Sequence, residues 1–179
     1  SRPVAGARHG LKFASESNYT AHTQGYAWTL DNGKPDDPPP HCYGLASVML
    51  AYTTALKAGI AEARAGLDRV HALQTRRFFE PHRQLYAAEA DDQWQLTGYR
   101  GQSANLRSCE ALIGAFDATG DAAFLERALT ISRTLWHKLA PMGDGWHWEH
   151  YDRDWHPDFD YHRDQPDRKS TRLNSSHNQ

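Results

Sequence analysis

The 179-residue sequence has little cysteine, no long apolar run and no excess of charge of one sign. Two cysteines, Cys42 and Cys109, are too few for a disulfide scaffold, so buried free thiols are the default interpretation. No apolar run approaches the ~20 residues that a membrane-spanning helix needs. The net charge is −2 and acids and bases are interspersed along the chain, so nothing in the sequence indicates a nucleic-acid-binding face. These features predict a cytoplasmic protein that acts without a membrane or nucleic acid.

Apolar residues spaced three and four positions apart predict four helices. The predicted ranges are 43–57, 61–79, 103 or 105 to 119, and 121 to about 139. Ser103, Asn105 and Asp121 are candidate N-caps, because their side chains can accept from free backbone N–H groups. Gly59 and Gly120 are expected to end the first and third helices, since glycine tolerates a left-handed backbone.

A repeat of 61 residues relates the two pairs of helices and carries Gly59 onto Gly120 and Leu45 onto Leu106. Each unit consists of a long helix, a tight turn, a second long helix and a longer loop. Because a helical hairpin cannot bury its apolar face alone, the units are expected to stack. The first helix of each unit is the more apolar, so we expect it to face an interior. This all-α pattern suits both a closed (α/α) toroid and an open α-solenoid.

The loops that follow the two units are rich in Trp, Tyr and charged residues, over residues 80–100 and 141–166. Flat rings beside fixed polar groups are typical of carbohydrate sites. The same rings can also plug the end of a helical bundle, and composition leaves both alternatives open. His and Asp recur between residues 147 and 162, but without the closed four-ligand spacing of a zinc site. No metal is therefore expected.

Two segments together resemble the N-acylglucosamine 2-epimerase family. They are YRGQSANLRSCEALIGAFDATGDAAFLERAL and WHWEHYDRDWHPDFDYHRDQP. HCYGLASVMLAYTTALKAG resembles the preceding inner helix of that family, and HTQGYAWTLDNGKP the loop before it. The resemblance covers about residues 9–166. It implies that residues 1–166 form part of an (α/α)6 barrel, roughly its middle half, with a sugar substrate, no cofactor and a homodimeric full-length protein.

The chemistry that this resemblance implies is proton transfer next to a sugar carbonyl. An opened aldose loses its C2 proton to give an enediolate. Return of the proton to the other face of C2 gives the epimer, and delivery to C1 gives a ketose. Histidine is the expected base, with glutamate as its partner. The matching motifs imply Glu110 and Glu149 as catalytic carboxylates.

The chain departs from the family pattern at two positions where histidine is usual, Leu45 and Arg107. Arginine stays protonated at any working pH and cannot act as a base. Each change is one base away from a histidine codon, so an error in the sequence and a real loss of histidine are both open. As it stands, the chain is expected to be catalytically inactive.

The residues expected to bind the sugar are aromatic, polar or cationic groups in the same motifs. They are Tyr43, Tyr99, Arg100, Asn105, Arg107, Trp146, His150 and Trp155. Each has a structural alternative: a helix cap for Asn105, a surface position for Arg100, an i,i+3 ion pair between Arg107 and Glu110, and loop packing for the tryptophans. Two other functions fit these residues, a glycoside hydrolase or lyase using Glu110 and Glu149, and a non-catalytic sugar-binding or scaffold protein.

The last residues of the chain are not expected to belong to the natural protein. Residues 167–177 have the sequence DRKSTRLNSSH, which is the translation of a common sequencing adapter in one frame. Residues 167–179 are therefore expected to be a non-native, disordered tail. With no initiator methionine at Ser1, the rest is expected to be an internal fragment. Part of a toroid leaves apolar faces bare, so poor folding in isolation is also expected.

Overall fold

The structure is a computed structural model that describes residues 39–143, 145 and 147–161, with short stretches before residue 39: 6, 8–12, 19–20, 25–26, 30–31 and 34–35. The expected tail and Trp146 lie outside the described residues. Four long helices form its body: α1 (Cys42–Lys57), α2 (Ala63–Phe78), α3 (Gln102–Thr119) and α4 (Ala122–Thr134). A π-helical segment, Leu135–Leu139, and a 3-10 turn, Ala140–Gly143, continue α4. Over these ranges, no helix combines the length and the apolar character needed to cross a bilayer.

Eight two-residue strands form four antiparallel pairs within the described ranges. They are β1 (Tyr19–Thr20) with β2 (Gly25–Tyr26), β3 (Leu30–Asp31) with β4 (Lys34–Pro35), β5 (Phe79–Glu80) with β6 (Leu85–Tyr86), and β7 (Arg100–Gly101) with β8 (His150–Tyr151). The last pair matters for the site, because it sets Gly101 opposite His150 directly before α3 begins. The loop that follows α4 is thereby fastened to the start of α3.

The helices form two layers, as the repeat predicts. Helix α1 packs against both α2 and α3, and α3 packs against α4. The two first helices of the units are therefore neighbours, and each carries its second helix on the outside. The buried core runs through all four helices and includes Leu45, Met49, Tyr52, Leu67, Val70, Leu112, Phe124 and Ile131.

The predicted turns between the helices are confirmed. Gly59 and Gly120 both have left-handed backbones, with φ of +84° and +71°. The N–H of Gly120 donates to the carbonyl of Phe116 across 2.7 Å and so closes α3. Asp121 caps α4, because its Oδ1 accepts from the N–H of Ala123 at 3.1 Å. These are local interactions, which is why the sequence pattern alone identified them.

Neither residue predicted to cap α3 does so. Its N-cap residue is Gly101, and the helix begins one residue before Ser103. The buried side chain of Asn105 instead bonds the backbone of Tyr86, accepting from its N–H at 2.8 Å and donating to its carbonyl at 2.9 Å. Asn105 thus fastens β6 to α3. Because both ends of its amide are occupied, the structure favours neither the cap nor the substrate contact expected for it.

Part of the predicted inner stripe of α3 is also exposed. The apolar spacing of this helix predicts an inward stripe of Leu106, Cys109, Leu112, Ile113 and Phe116, but Leu106 is 53% exposed and Ile113 is 48% exposed. Helix α3 is flanked by α1 on one side and α4 on the other, and these two residues lie on the face that neither covers. We call this the open face of α3.

Both cysteines are free, as expected. The thiol of Cys42 is buried where α1, α2 and α3 meet, 3.4 Å from the side-chain nitrogen of Gln74 and 3.8 Å from the hydroxyl of Ser108. Burial raises the pKa of Cys42 to about 12. A thiol with so high a pKa is a packing group rather than a nucleophile.

Candidate active site

The open face of α3 carries a cluster of three polar side chains. Arg107 donates from Nη1 to Oε2 of Glu110 at 2.7 Å and from Nη2 to the hydroxyl of Tyr43 on α1. Its guanidinium carbon also lies 4.9 Å from the centre of the Tyr43 ring. The hydrogen bond to Tyr43 raises the pKa of Arg107, so the guanidinium remains a fixed positive charge on this face.

Glu149 lies at the N-terminus of α3. Its backbone carbonyl accepts from the N–H of Gln102 at 3.0 Å, and its Oε1 accepts from the N–H of Ser103 at 3.1 Å. Two of the free N–H groups at the start of the helix are thereby satisfied by one residue from a distant loop. Burial raises the pKa of Glu149, and the bond from Ser103 offsets this only in part. Glu149 therefore holds a proton more readily than an exposed glutamate does.

Three rings are grouped beside Glu149. The hydroxyl of Tyr99 lies 2.9 Å from Nδ1 of His150. Tyr161 stacks on His150 with ring centres 4.0 Å apart, and on Tyr99 at 5.1 Å. Burial, and then the charge of Glu149, raise the pKa of Tyr99, which keeps its phenol protonated. The phenol can thus donate to Nδ1 of His150.

Arg100 and Trp155, both expected to bind the sugar, are buried around Glu80 instead. The guanidinium of Arg100 donates from Nε and Nη2 to the Glu80 carboxylate, at 2.8 and 3.0 Å. Its Nη1 donates to the carbonyls of Thr97 and Tyr99, at 2.6 and 2.9 Å. The indole of Trp155 donates to Oε2 of Glu80 at 3.1 Å. These contacts favour a structural role for Arg100 and Trp155, because their donors are already used.

The predicted catalytic carboxylates both lie along α3 but do not touch, since Glu110 belongs to the helix and Glu149 comes from the loop that contacts its start. Glu149 binds the first turn of α3 at Ser103, and Glu110 lies about 10 Å further along its axis. Arg107 lies between them and contacts Glu110. Leu45 does not share this face, because it is only 3% exposed and packs in the core. The structure thus groups Tyr43, Arg107 and Glu110 at one level of α3, and Tyr99, Glu149 and His150 at its start.

Sequence reasoning missed Glu80 and a repeated turn in the loops. In residues 91–95, Oδ1 of Asp91 accepts from the N–H groups of residues 93 and 95, at 2.9 and 2.8 Å. In residues 152–156, Oδ1 of Asp152 accepts from residues 154 and 156, at 2.8 and 2.9 Å. The fourth residue of each is a tryptophan with a left-handed backbone, Trp94 at φ +63° and Trp155 at φ +65°. We call these segments the Trp turns. Their offset of 61 residues, visible as DDQWQ and DRDWH, is the pattern that identifies them.

No group of three His, Cys, Asp or Glu side chains that could hold a metal ion is found among the residues that the structure describes. The imidazole of His156 is 3.3 Å from the carboxylate of Asp152, an exposed contact within the second Trp turn. The groups that the candidate site brings together are carboxylate, imidazole, phenol and guanidinium groups.

The sequence profile of the N-acylglucosamine 2-epimerase family matches residues 4–173. The chain belongs to this family. Because the profile match ends within residues 167–179, the boundary near residue 166 stays a prediction.

Two relatives of this epimerase-family chain are D-mannose isomerases. That of Marinomonas mediterranea is 38% identical over 160 residues, which are 88% of this chain and 40% of the relative. That of Thermobifida fusca is 34% identical over 160 residues, 88% of this chain and 39% of the relative. The chain thus spans about 40% of the length of these curated relatives.

Solved structures confirm the expected fold, a partial (α/α)6 barrel. A crystal structure of D-mannose isomerase superposes with a TM-score of 0.87 and 37% identity, over 93% of this chain and 43% of that one. Cellobiose 2-epimerase from Bacillus thermoamylovorans superposes with a TM-score of 0.75 over 86% of this chain and 43% of that one. At 17% identity, the second comparison supports the fold alone.

Proposed function

We propose that this chain forms part of the sugar-binding wall of an isomerase or epimerase that moves a proton at C2 of an opened aldose. Its family and its D-mannose isomerase relatives support a hexose such as mannose as the substrate. The observation that carries the proposal is the carboxyl group of Glu149, held at the start of α3 with a raised pKa. A carboxyl group whose pKa is raised by burial holds a proton more readily than an exposed one, which suits a group that must both take up and release a proton.

The neighbouring groups suit the other needs of the reaction. Arg107 stays charged and projects from the open face, so it can stabilise the negative oxygen of an enediolate. Tyr43 and Glu110 hold its guanidinium in place. The hydroxyl of Tyr99 and Nδ1 of His150 lie 2.9 Å apart beside Glu149, and phenol and imidazole groups are of the kind that can exchange hydrogen bonds with sugar oxygens.

We further propose that the chain is inactive as it stands. Arg107 cannot act as a base, and Leu45 lies in the core. Neither of the two positions where the family usually has histidine therefore supplies an imidazole. Sugar binding without turnover is the expected behaviour.

The test uses a complete barrel, because the chain spans only part of its relatives. In this hybrid, residues 9–166 replace the matching segment of the Marinomonas mediterranea D-mannose isomerase. Loss of the C2 hydrogen of D-mannose in deuterated water is followed by proton NMR. We expect no exchange from the hybrid with Leu45 and Arg107, and exchange from the hybrid with Leu45→His and Arg107→His.

Two further hybrids test the separate contributions of the side chains at positions 107 and 149. Arg107→Lys keeps the charge without supplying a base, and is expected to leave the hybrid inactive. Glu149→Gln, added to the double-histidine hybrid, is expected to lower exchange by about 100-fold or more, as for loss of a general acid or base. Exchange by the unaltered hybrid contradicts the proposed inactivity. A folded double-histidine hybrid that exchanges no aldose contradicts the proposed chemistry.

A further inference from the structure

A cavity between the two Trp turns adjoins a second cavity beside the later turn. The larger, of about 620 Å³, is lined by Trp94 and Gln95 from the first turn and by Arg153 and Asp154 from the second. The smaller, of about 230 Å³, continues past Asp154 to Lys138. Both are bordered by His82, Arg83 and Asp154, and we call them together the inter-turn groove. None of the groups of the proposed proton-transfer site, such as Arg107 or Glu149, lines it.

The groove carries an excess of positive charge. Its two acidic residues are each paired with an arginine: Glu80 with Arg100 at 2.8 Å, and Asp154 with Arg83 at 2.8 Å. Arg153 and Lys138 also line the groove, and neither has a carboxylate partner in the described part of the chain. Among the groups that are charged at neutral pH, two positive charges therefore remain uncompensated.

The two ion pairs differ in how readily they can exchange partners. The side chains of Glu80 and Arg100 are 11% and 3% exposed, so this ion pair is a fixed part of the groove lining. Arg83 and Asp154 form an exposed pair, and such pairs contribute little to stability. The guanidinium of Arg83 can therefore turn from Asp154 to a more highly charged ligand at low cost. The guanidinium groups of Arg83 and Arg153 are planar, and each can donate two hydrogen bonds to the oxygens of a phosphate group.

The groove also offers a rigid aromatic surface. Trp94 has an uncommon left-handed backbone, and Asp91 holds the turn through two backbone N–H groups. Its ring packs edge-on against Phe78 with centres 5.8 Å apart, and Arg77 lies 4.8 Å from its centre. A bare phosphate fills only a small part of 620 Å³. A ring-bearing ester of phosphate uses both the indole and the guanidinium groups.

We infer that the inter-turn groove binds a phosphate ester of a sugar-sized molecule. The phosphate lies against Arg83 and Arg153, and the ring of the ester packs beside Trp94. Lys138, at the far end of the groove, adds a favourable charge. This site is separate from the one proposed for proton transfer, and it holds its ligand without covalent chemistry.

The 179-residue chain is titrated by calorimetry with glucose 6-phosphate, inorganic phosphate and glucose, after circular dichroism has verified its helices. We expect glucose 6-phosphate to bind, inorganic phosphate to bind at least about tenfold more weakly, and glucose not to bind over the same range. Affinity for the ester should fall as salt is raised, because salt screens the attraction between exposed charges. A folded chain that does not bind the ester overturns the inference, as does glucose binding of equal strength.

Charge-reversal variants locate the site. Arg153→Glu and Lys138→Glu should each weaken binding of glucose 6-phosphate, Arg153→Glu by at least about tenfold. Arg69→Glu is the matched control, because it makes the same charge change on an exposed position of α2, more than two turns before the groove. Its affinity should equal that of the parent. Equal losses in Arg69→Glu and Arg153→Glu overturn the inference, since they indicate a general charge effect.

Discussion

The indole Nε1 of Trp155 donates to Oε2 of Glu80 across 3.1 Å, which joins the loop after α4 to β5, the strand directly after α2. The same carboxylate accepts two bonds from Arg100, directly before α3. One largely enclosed acid, 11% exposed, therefore ties together three segments. Two of these segments also carry Tyr99 and His150, so the Glu80 contacts add to the β7–β8 pairing in holding those two side chains near each other.

Glu80→Gln is expected to lower the free energy of unfolding by about 3–5 kcal/mol, because it leaves the buried guanidinium of Arg100 without its counter-charge. Urea unfolding followed by circular dichroism measures the change. Asp154→Asn is the control, since it breaks an exposed arginine pair and should cost no more than about 1 kcal/mol. Equal losses in both variants contradict a special role for Glu80.

Asn105→Ala is expected to cost roughly 2–4 kcal/mol, because it leaves the buried N–H and carbonyl of Tyr86 without partners. Hydrogen exchange gives a second readout, in which the amide of Tyr86 should lose its protection. Gln93→Ala, at an exposed position, should stay within about 0.5 kcal/mol of the parent. An unchanged exchange rate at Tyr86 refutes this assignment of the Asn105 bonds.

The stability of Glu149→Gln relative to the parent should depend on pH. The pKa of Glu149 is raised in the folded chain, so the folded state binds this proton more tightly than the unfolded state. The resulting stabilisation is complete below the ordinary pKa of 4.5 and is lost as pH rises through the higher folded value. Glutamine has no charge to bury, so the variant should gain stability relative to the parent over this interval.

Denaturant midpoints measured from about pH 4 to pH 8 test this dependence. Glu126→Gln removes an exposed carboxylate from α4 and corrects for the loss of one negative charge. A difference between Glu149→Gln and the parent that stays constant with pH, after this correction, is incompatible with the raised pKa.

Replacing glycine by alanine within a helix usually raises stability. Gly66→Ala is expected to do the opposite and to lower the free energy of unfolding by about 1–3 kcal/mol. A Cβ at Gly66 on α2 meets the ring of Tyr52 on α1 at 2.2 Å. Tyr52→Leu removes that ring, so Gly66→Ala should cost less in the Tyr52→Leu background, which a double-mutant cycle measures. Gly114→Ala is the milder control, with 3.2 Å to Thr53. Additive effects at 52 and 66 contradict the close approach.

Local signals made the helices predictable. Gly59, Gly120 and Asp121 act within one or two turns of their own helix, so their positions in the sequence already determine their roles. The exposure of Leu106 and Ile113 was not predictable in this way. Periodicity shows that α3 has an apolar stripe, but only the positions of α1 and α4 decide which part of that stripe is covered.

The sequence indicated which segments contain the candidate site residues, but it did not indicate which contacts most of their side chains make. Arg100, Asn105 and Trp155 have the polar groups that bind sugars, and they lie in the expected motifs. Their partners are far away in sequence: Glu80 precedes Trp155 by 75 residues, and Tyr86 precedes Asn105 by 19. A single sequence does not show such pairings. Arg107 and Glu110 are the contrary case, because their i,i+3 spacing predicts the contact that they make.

The Trp turns also bear on how this architecture can change over time. Each turn closes on its own aspartate, so its shape does not depend on the side chains that it presents. The two copies already differ, with glutamine at positions 93 and 95 where the later copy has Asp154 and His156. Mutation can therefore vary the chemistry displayed between successive helical units while the underlying scaffold stays intact.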